Sequence, residues 1–128
     1  MRSPPVDAHD FNAEVCLLSP TEGGRRTPVY NGIRWDFCYV DGADEISPRE
    51  LYMIWPTFWT EQGQLWPVSV ALPVGVPLRA TFRILNSELR ESLHRARLRP
   101  GLRFHCHEGP ICVARGVVTQ LTGLASPG

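Results

Sequence analysis

The chain has 128 residues, 43% hydrophobic and 20% charged, with thirteen basic and thirteen acidic side chains. That length suffices for one globular domain with a core of its own, and the composition excludes the apolar-poor, highly charged disordered class. A formal net charge of zero excludes a global basic field of the kind that drives nonspecific binding to nucleic acid, so any such binding must rest on a local patch.

In chain order, MRSPPVDAHD (1–10) reads as a flexible, Pro-rich leader without the apolar stretch of a secretory signal. No apolar run approaches the roughly 20 residues that span a bilayer, so the expectation is a cytoplasmic protein without a membrane partner. Phe11 to Leu18 and Ile33 to Val40 read as strands, separated by the turn chemistry of Pro20, Gly23, Gly24, Pro28, Asn31 and Gly32. Leu51 to Trp59 is a third segment, crowded with aromatics. After the turn EQGQ, the period of two in Trp66, Val68, Val70 and Leu72 predicts another strand, followed by Pro73, Gly75 and Pro77 as punctuation. Leu78, Ala80, Phe82 and Ile84 alternate with Arg79, Thr81 and Arg83, a half-buried strand pattern.

One helical stretch interrupts this series. In NSELRESLHRAR, Asn86 or Ser87 serves as cap, Leu89 and Leu93 lie four apart, and Glu91 to Arg95 is a favourable pair. Leu102 to His107 and Ile111 to Leu121 then make a closing hairpin around Glu108-Gly109-Pro110, with 123–128 as a flexible tail. The pattern predicts an all-β fold: one antiparallel β-barrel over 11–122, with a short helical excursion near 87–97.

All thirteen basic residues are arginine, whose guanidinium forks onto carboxylates and phosphates and stacks on rings. Cys16, Cys38, Cys106 and Cys112 match no zinc-finger spacing and read as small buried hydrophobes. In His105-Cys106-His107, strand alternation sets the two histidines on one face and Cys106 on the other, so all three meet one metal only across a bulge. No metal and no cofactor are expected. Nor is an enzyme, since no nucleophile elbow, His-Glu-x-x-His or paired-carboxylate pattern is present.

FNAEVCLLSPTEGGRRTPVYNGIRWDF, near the start, closely resembles the opening of the third, C-terminal β-barrel domain of bacterial elongation factor Tu, with F-x-A-E-V, L-S, E-G-G-R-x-T-P and G-x-R in order. GLRFHCHEGPICVARGVVTQL resembles that domain's last hairpin, and LPVGVPLRATFRIL matches its middle more weakly. The chain has no G-x-x-x-x-G-K-[ST] loop, so no nucleotide is expected, and it resembles a free-standing copy of one module. It also carries extra residues around Trp55 to Trp66 and around Asn86 to Arg97.

The resemblance implies that the GGRR loop lies near a GTPase domain and the T stem of transfer RNA, with Arg25, Arg26, Glu108 and Gly109 at the RNA-contacting positions. Adjacent guanidiniums suit phosphate. Arg26 stands where the family has His, and Asp36 where it has Gln, placing a carboxylate that repels phosphate. A structural role for the same loop would have Glu22, Arg25 and neighbouring backbone groups bonded to one another, with Gly23 and Gly24 taking angles other residues resist. The extra aromatics, Trp55, Trp59 and Trp66 with Tyr52 and Phe58, form either a lid over one barrel end or a protein-binding patch. The functional expectation is a non-catalytic protein-interaction module linked to translation. The alternative is an RNA-binding module using Arg25, Arg26 and Arg34.

Overall fold

A computed structural model describes residues 9–41, 45–46 and 51–125. Six strands close into an antiparallel barrel: β1 (Phe11–Leu17), β2 (Trp35–Asp41), β4 (Tyr52–Trp59), β5 (Pro77–Ile84), β6 (Arg103–Glu108) and β7 (Ile111–Leu121). Round the wall the order is β2-β4-β5-β1-β7-β6, and pairing of β6 back onto β2 closes it. The two-residue β3 (Glu45–Ile46) pairs antiparallel with the end of β2, outside the ring.

Alternation decides what each strand buries. On β1, Phe11, Ala13, Val15 and Leu17 point inward while Asn12, Glu14 and Cys16 point out. On β5 the same division separates Leu78, Ala80, Phe82 and Ile84 from Arg79, Thr81 and Arg83. Phe11, Phe37, Phe82 and Phe104, all at 1% exposure or less, meet at the centre. Phe11 stacks on Phe82 at 4.9 Å between centroids and Phe37 on Phe104 at 4.8 Å, with edge contacts between the pairs. Each such ring contributes about 1.5–3 kcal/mol through burial. This cluster is the main adhesive of the barrel. Gly116 faces it because nothing larger fits: a Cβ there would lie 2.4 Å from Cζ of Phe104.

The two barrel ends are closed differently. Between β5 and β6 run an α-helical turn (Ser87–Leu89), a π-helical turn (Arg90–His94) and a further α-helical turn (Arg95–Arg97), matching the helical excursion expected there. Asn86 caps the first by accepting from the Leu89 amide at 3.0 Å. This excursion packs buried His94 against Tyr39, Tyr52 and Phe37 at one end. The loops 18–34 and 60–76 cover the other. Leu72 donates to the Val29 carbonyl at 2.9 Å, and the Asn31 side chain bonds the amide and carbonyl of Phe58 and the carbonyl of Trp66.

Three expectations are corrected. The segment from Trp66 to Leu72 is a loop: β4 pairs directly with β5, leaving no ladder for another strand, and Val68 and Val70 are exposed. The aromatic segment is not a lid as a whole, because Tyr52–Trp59 is β4, a stave of the wall. Finally, the fold extends past 11–122 at both ends. His9 and Asp10 are buried, and their carbonyls accept from Thr122, Gly123 and Leu124, itself a core residue. The rest of the expected leader (1–8) and tail (126–128) lies outside the described residues.

Candidate interaction face

Inward packing of Ile54, Pro56 and Phe58 turns Trp55, Thr57 and Trp59 outward on β4. Antiparallel pairing with β5 sets Trp55 opposite Arg83, Thr57 opposite Thr81 and Trp59 opposite Arg79. From the other flank, the exposed Arg34 lays its guanidinium over the Trp55 ring, 4.4 Å from the centroid. Beyond β5, Asn12 and Glu14 on β1 stand opposite Thr81 and Arg79. Two half-buried indoles thus lie in one face with three arginines.

Trp59 is held more tightly than Trp55. Its Nε1 donates to Oγ1 of Thr81 at 2.9 Å, and its ring meets His9 edge-on at 6.4 Å. His9 is itself largely buried, which lowers its pKa. Beside them a groove of about 610 Å³ runs between Trp59, Arg79, Asn12 and Gln120. Among the described residues, no carboxylate pairs with Arg34, Arg79 or Arg83. Ion pairs elsewhere in the described fold join Arg25 to Glu108, Arg90 to Asp10 and Glu91, and Arg95 to Glu91. Arg79 instead donates to the Glu61 carbonyl at 3.4 Å.

The GGRR loop is built largely for its own shape. Glu22 accepts from the Ser19 amide and hydroxyl at 2.9 and 3.0 Å, closing a capping box around the 3-10 turn Pro20–Glu22. Those bonds, above all the one to the backbone, lower the pKa of the Glu22 carboxyl. Gly23 takes the left-handed conformation (φ 88°), which glycine adopts without Cβ strain. Gly24 is needed for space, since a Cβ would lie 2.4 Å from the Leu18 carbonyl oxygen. Arg25 reaches Thr27 at 2.8 Å and Glu108 at 3.3 Å, and the same Glu108 oxygen accepts from Nε1 of Trp35 at 3.0 Å. Glu22 and Arg25 therefore bond to different partners. Arg26 is exposed and makes no hydrogen bond or ion pair among the described residues, and Gly109 forms the exposed turn after Glu108.

The sequence-predicted residues thus separate into groups. Arg25 and Glu108 come together, with Arg26 and Gly109 nearby in chain. Arg34, Trp55 and Trp59 belong to the outer face of β4. Trp66, in the 60–76 loop, belongs to neither: its amide bonds the Phe58 carbonyl of β4 and its ring packs against the core. Asp36 is two residues beyond Arg34 and pairs with His107 across the β2–β6 ladder. Arg79, Arg83 and Glu14 were missed as site residues. Their alternation on β1 and β5 was legible, but only the pairing of β4 with β5 brings two of them beside tryptophans. No known protein-family model matches the chain.

Proposed function

We propose that this chain is a non-catalytic binding module that holds a protein partner on the Trp55–Trp59 face, the partner offering acidic and apolar side chains. The observation carrying this reading is the Arg34 guanidinium stacked over Trp55, with Arg83 and Arg79 as the next neighbours on β5. Tryptophan and arginine are the residues that most often dominate interface energy. Guanidiniums lacking a carboxylate partner within the described fold complement a carboxylate from outside. The motif resemblance to the third barrel of elongation factor Tu supports a partner in translation, or one that normally recognises that barrel. RNA is the lesser reading, since Glu14 stands opposite Arg79 beside the face and would repel phosphate, and the net charge is zero.

The test is capture of a partner from native lysate, followed by titration calorimetry with variants. Trp55→Ala and Trp59→Ala are each expected to weaken binding by about 2 kcal/mol, roughly 30-fold, with folding retained. Unfolding of Trp59→Ala would make that ring structural. Binding that survives replacement of Trp55, Trp59 and Trp66 together would refute the face and move attention to Arg25 and Arg26. Retention on bulk transfer RNA that falls steeply with salt would favour the RNA reading.

A further inference from the structure

On the opposite flank of the barrel, β2, β6 and β7 bring together a second group of side chains. His105 and His107 both point outward from β6, as alternation requires, while Cys106 faces the core opposite Phe37. The β6–β7 ladder shifts register between Cys106 and His107: Cys106 pairs with Ala114, and His107 with Cys112. Val113 is the extra residue of this bulge; it is buried, and its carbonyl accepts from the Leu18 amide at 3.0 Å. The slip places Cys112 on the outward face beside the histidines. Donor atoms of His105, His107 and Cys112 all lie within 4.8 Å of one another. We propose that His105, His107 and Cys112 bind a transition-metal ion of the Zn²⁺ type.

Three observations support this. The donors are one thiol and two imidazoles, the set that suits zinc. Bond lengths of about 2.0–2.1 Å to nitrogen and 2.3 Å to sulfur set tetrahedral edges of about 3.3–3.7 Å, so closure on an ion from separations of up to 4.8 Å needs a contraction of at most about 1.5 Å, within reach of side-chain rotation. His107 is 3% exposed, and among the described residues neither ring nitrogen meets full hydrogen-bond geometry, the Gly109 backbone being the one polar group close enough to act on the ring as a weak hydrogen-bond partner. A buried polar side chain left without partners is uncommon and costs about 1–3 kcal/mol. A metal bond at one nitrogen removes part of that cost.

The surroundings suit a cation without enclosing it. Asp36 stands opposite His107 across the β2–β6 ladder, and its negative charge acts on that ring. Cys38 stands opposite His105 on the same ladder. Cys112 is only partly buried, which gives an ion a way in from solvent. Burial holds His107 neutral, the form that ligates. Burial also raises the pKa of the Cys112 thiol, so the ion must displace its proton. Three protein ligands leave a fourth position for water or for the Asp36 carboxylate.

The full chain, reduced and freed of metal, is titrated with Co²⁺ as a spectroscopic stand-in. The expected result is one equivalent bound, with visible bands of tetrahedral Co²⁺ and a near-ultraviolet thiolate-to-cobalt band, all bleached by Zn²⁺. Cys112→Ser should abolish the thiolate band and His107→Gln should weaken binding at least tenfold, whereas Cys16→Ser, altering a thiol on β1, should change neither. Wild-type protein should also melt higher with excess Zn²⁺ and return to its starting value with chelator. Absence of the thiolate band from wild-type protein overturns the proposal whatever the variants do. So does a band that persists in Cys112→Ser. Should Cys112→Ser fail to fold, the wild-type spectrum and His107→Gln decide.

Discussion

Acid should loosen this barrel through His94. The π-helical turn Arg90–His94 delivers the imidazole to the inside of the fold, where it is 1% exposed and stacked on Tyr39 at 5.7 Å between centroids. Nδ1 lies 2.7 Å from the Tyr39 hydroxyl, and burial, first among the causes, raises the tyrosine pKa, so the hydroxyl stays the donor and Nδ1 the acceptor. Nε2 has no partner. Burial above all, then the Arg97 guanidinium, lowers the His94 pKa to about 4, against a weaker opposing pull from Asp10. In the unfolded chain the same group titrates near 6.5. Between those values the unfolded state binds more protons, so stability is fully present above pH 6.5 and declines as pH falls toward 4. At about 1.36 kcal/mol per unit, the whole shift amounts to about 3 kcal/mol, of which about 2 kcal/mol is lost by pH 5. Urea denaturation followed by tryptophan fluorescence at several pH values between 4 and 8 measures this. His94→Asn keeps an acceptor for Tyr39 and removes the titration, so it should be less stable at pH 7.5 yet lose less on acidification. His9 and His107, whose pKa values burial also lowers, leave a shared residual slope in both proteins. Equal losses between pH 7.5 and 5 in wild type and variant would refute the assignment to His94.

Two further substitutions probe the barrel itself. Gly116→Ala drives a methyl into Phe104, which is caged by Phe11, Phe37 and Phe82 and has little room to yield; the expected cost is about 1–3 kcal/mol by urea denaturation, partly recovered when Phe104→Leu is added. Asp10→Ala strips the carboxylate that accepts from the Ile84 amide at 2.8 Å and from Nε of Arg90 at 2.6 Å. Because the Arg90 side chain is 25% exposed and rehydrates in part, the loss should be about 2–3 kcal/mol, with the Ile84 amide left buried and unpaired. A loss below about 0.5 kcal/mol for Asp10→Ala would show that residue 10 belongs to the leader after all.

What the sequence by itself determined was local. A period of two in Phe11–Leu17 and Pro77–Ile84, punctuated by glycine and proline, is enough to assign strands and their inward faces, because alternation needs no knowledge of neighbours. Likewise Asn86 and the Glu91–Arg95 pair announced the helical excursion, since both interactions span only three or four residues. The same rule misled at Trp66 to Leu72, where alternation was present but no partner edge was available, and a strand without a ladder leaves its backbone unpaired. The candidate sites were decided by tertiary structure. Trp55 became the neighbour of Arg34 and Arg83 only when β4 settled between β2 and β5, far apart though these residues are in the chain. Cys112 joined His105 and His107 through a one-residue slip in the β6–β7 ladder. Such a slip moves a side chain to the other face of a strand, and it is set by packing of Val113 and its bond to Leu18, contacts between residues distant in sequence.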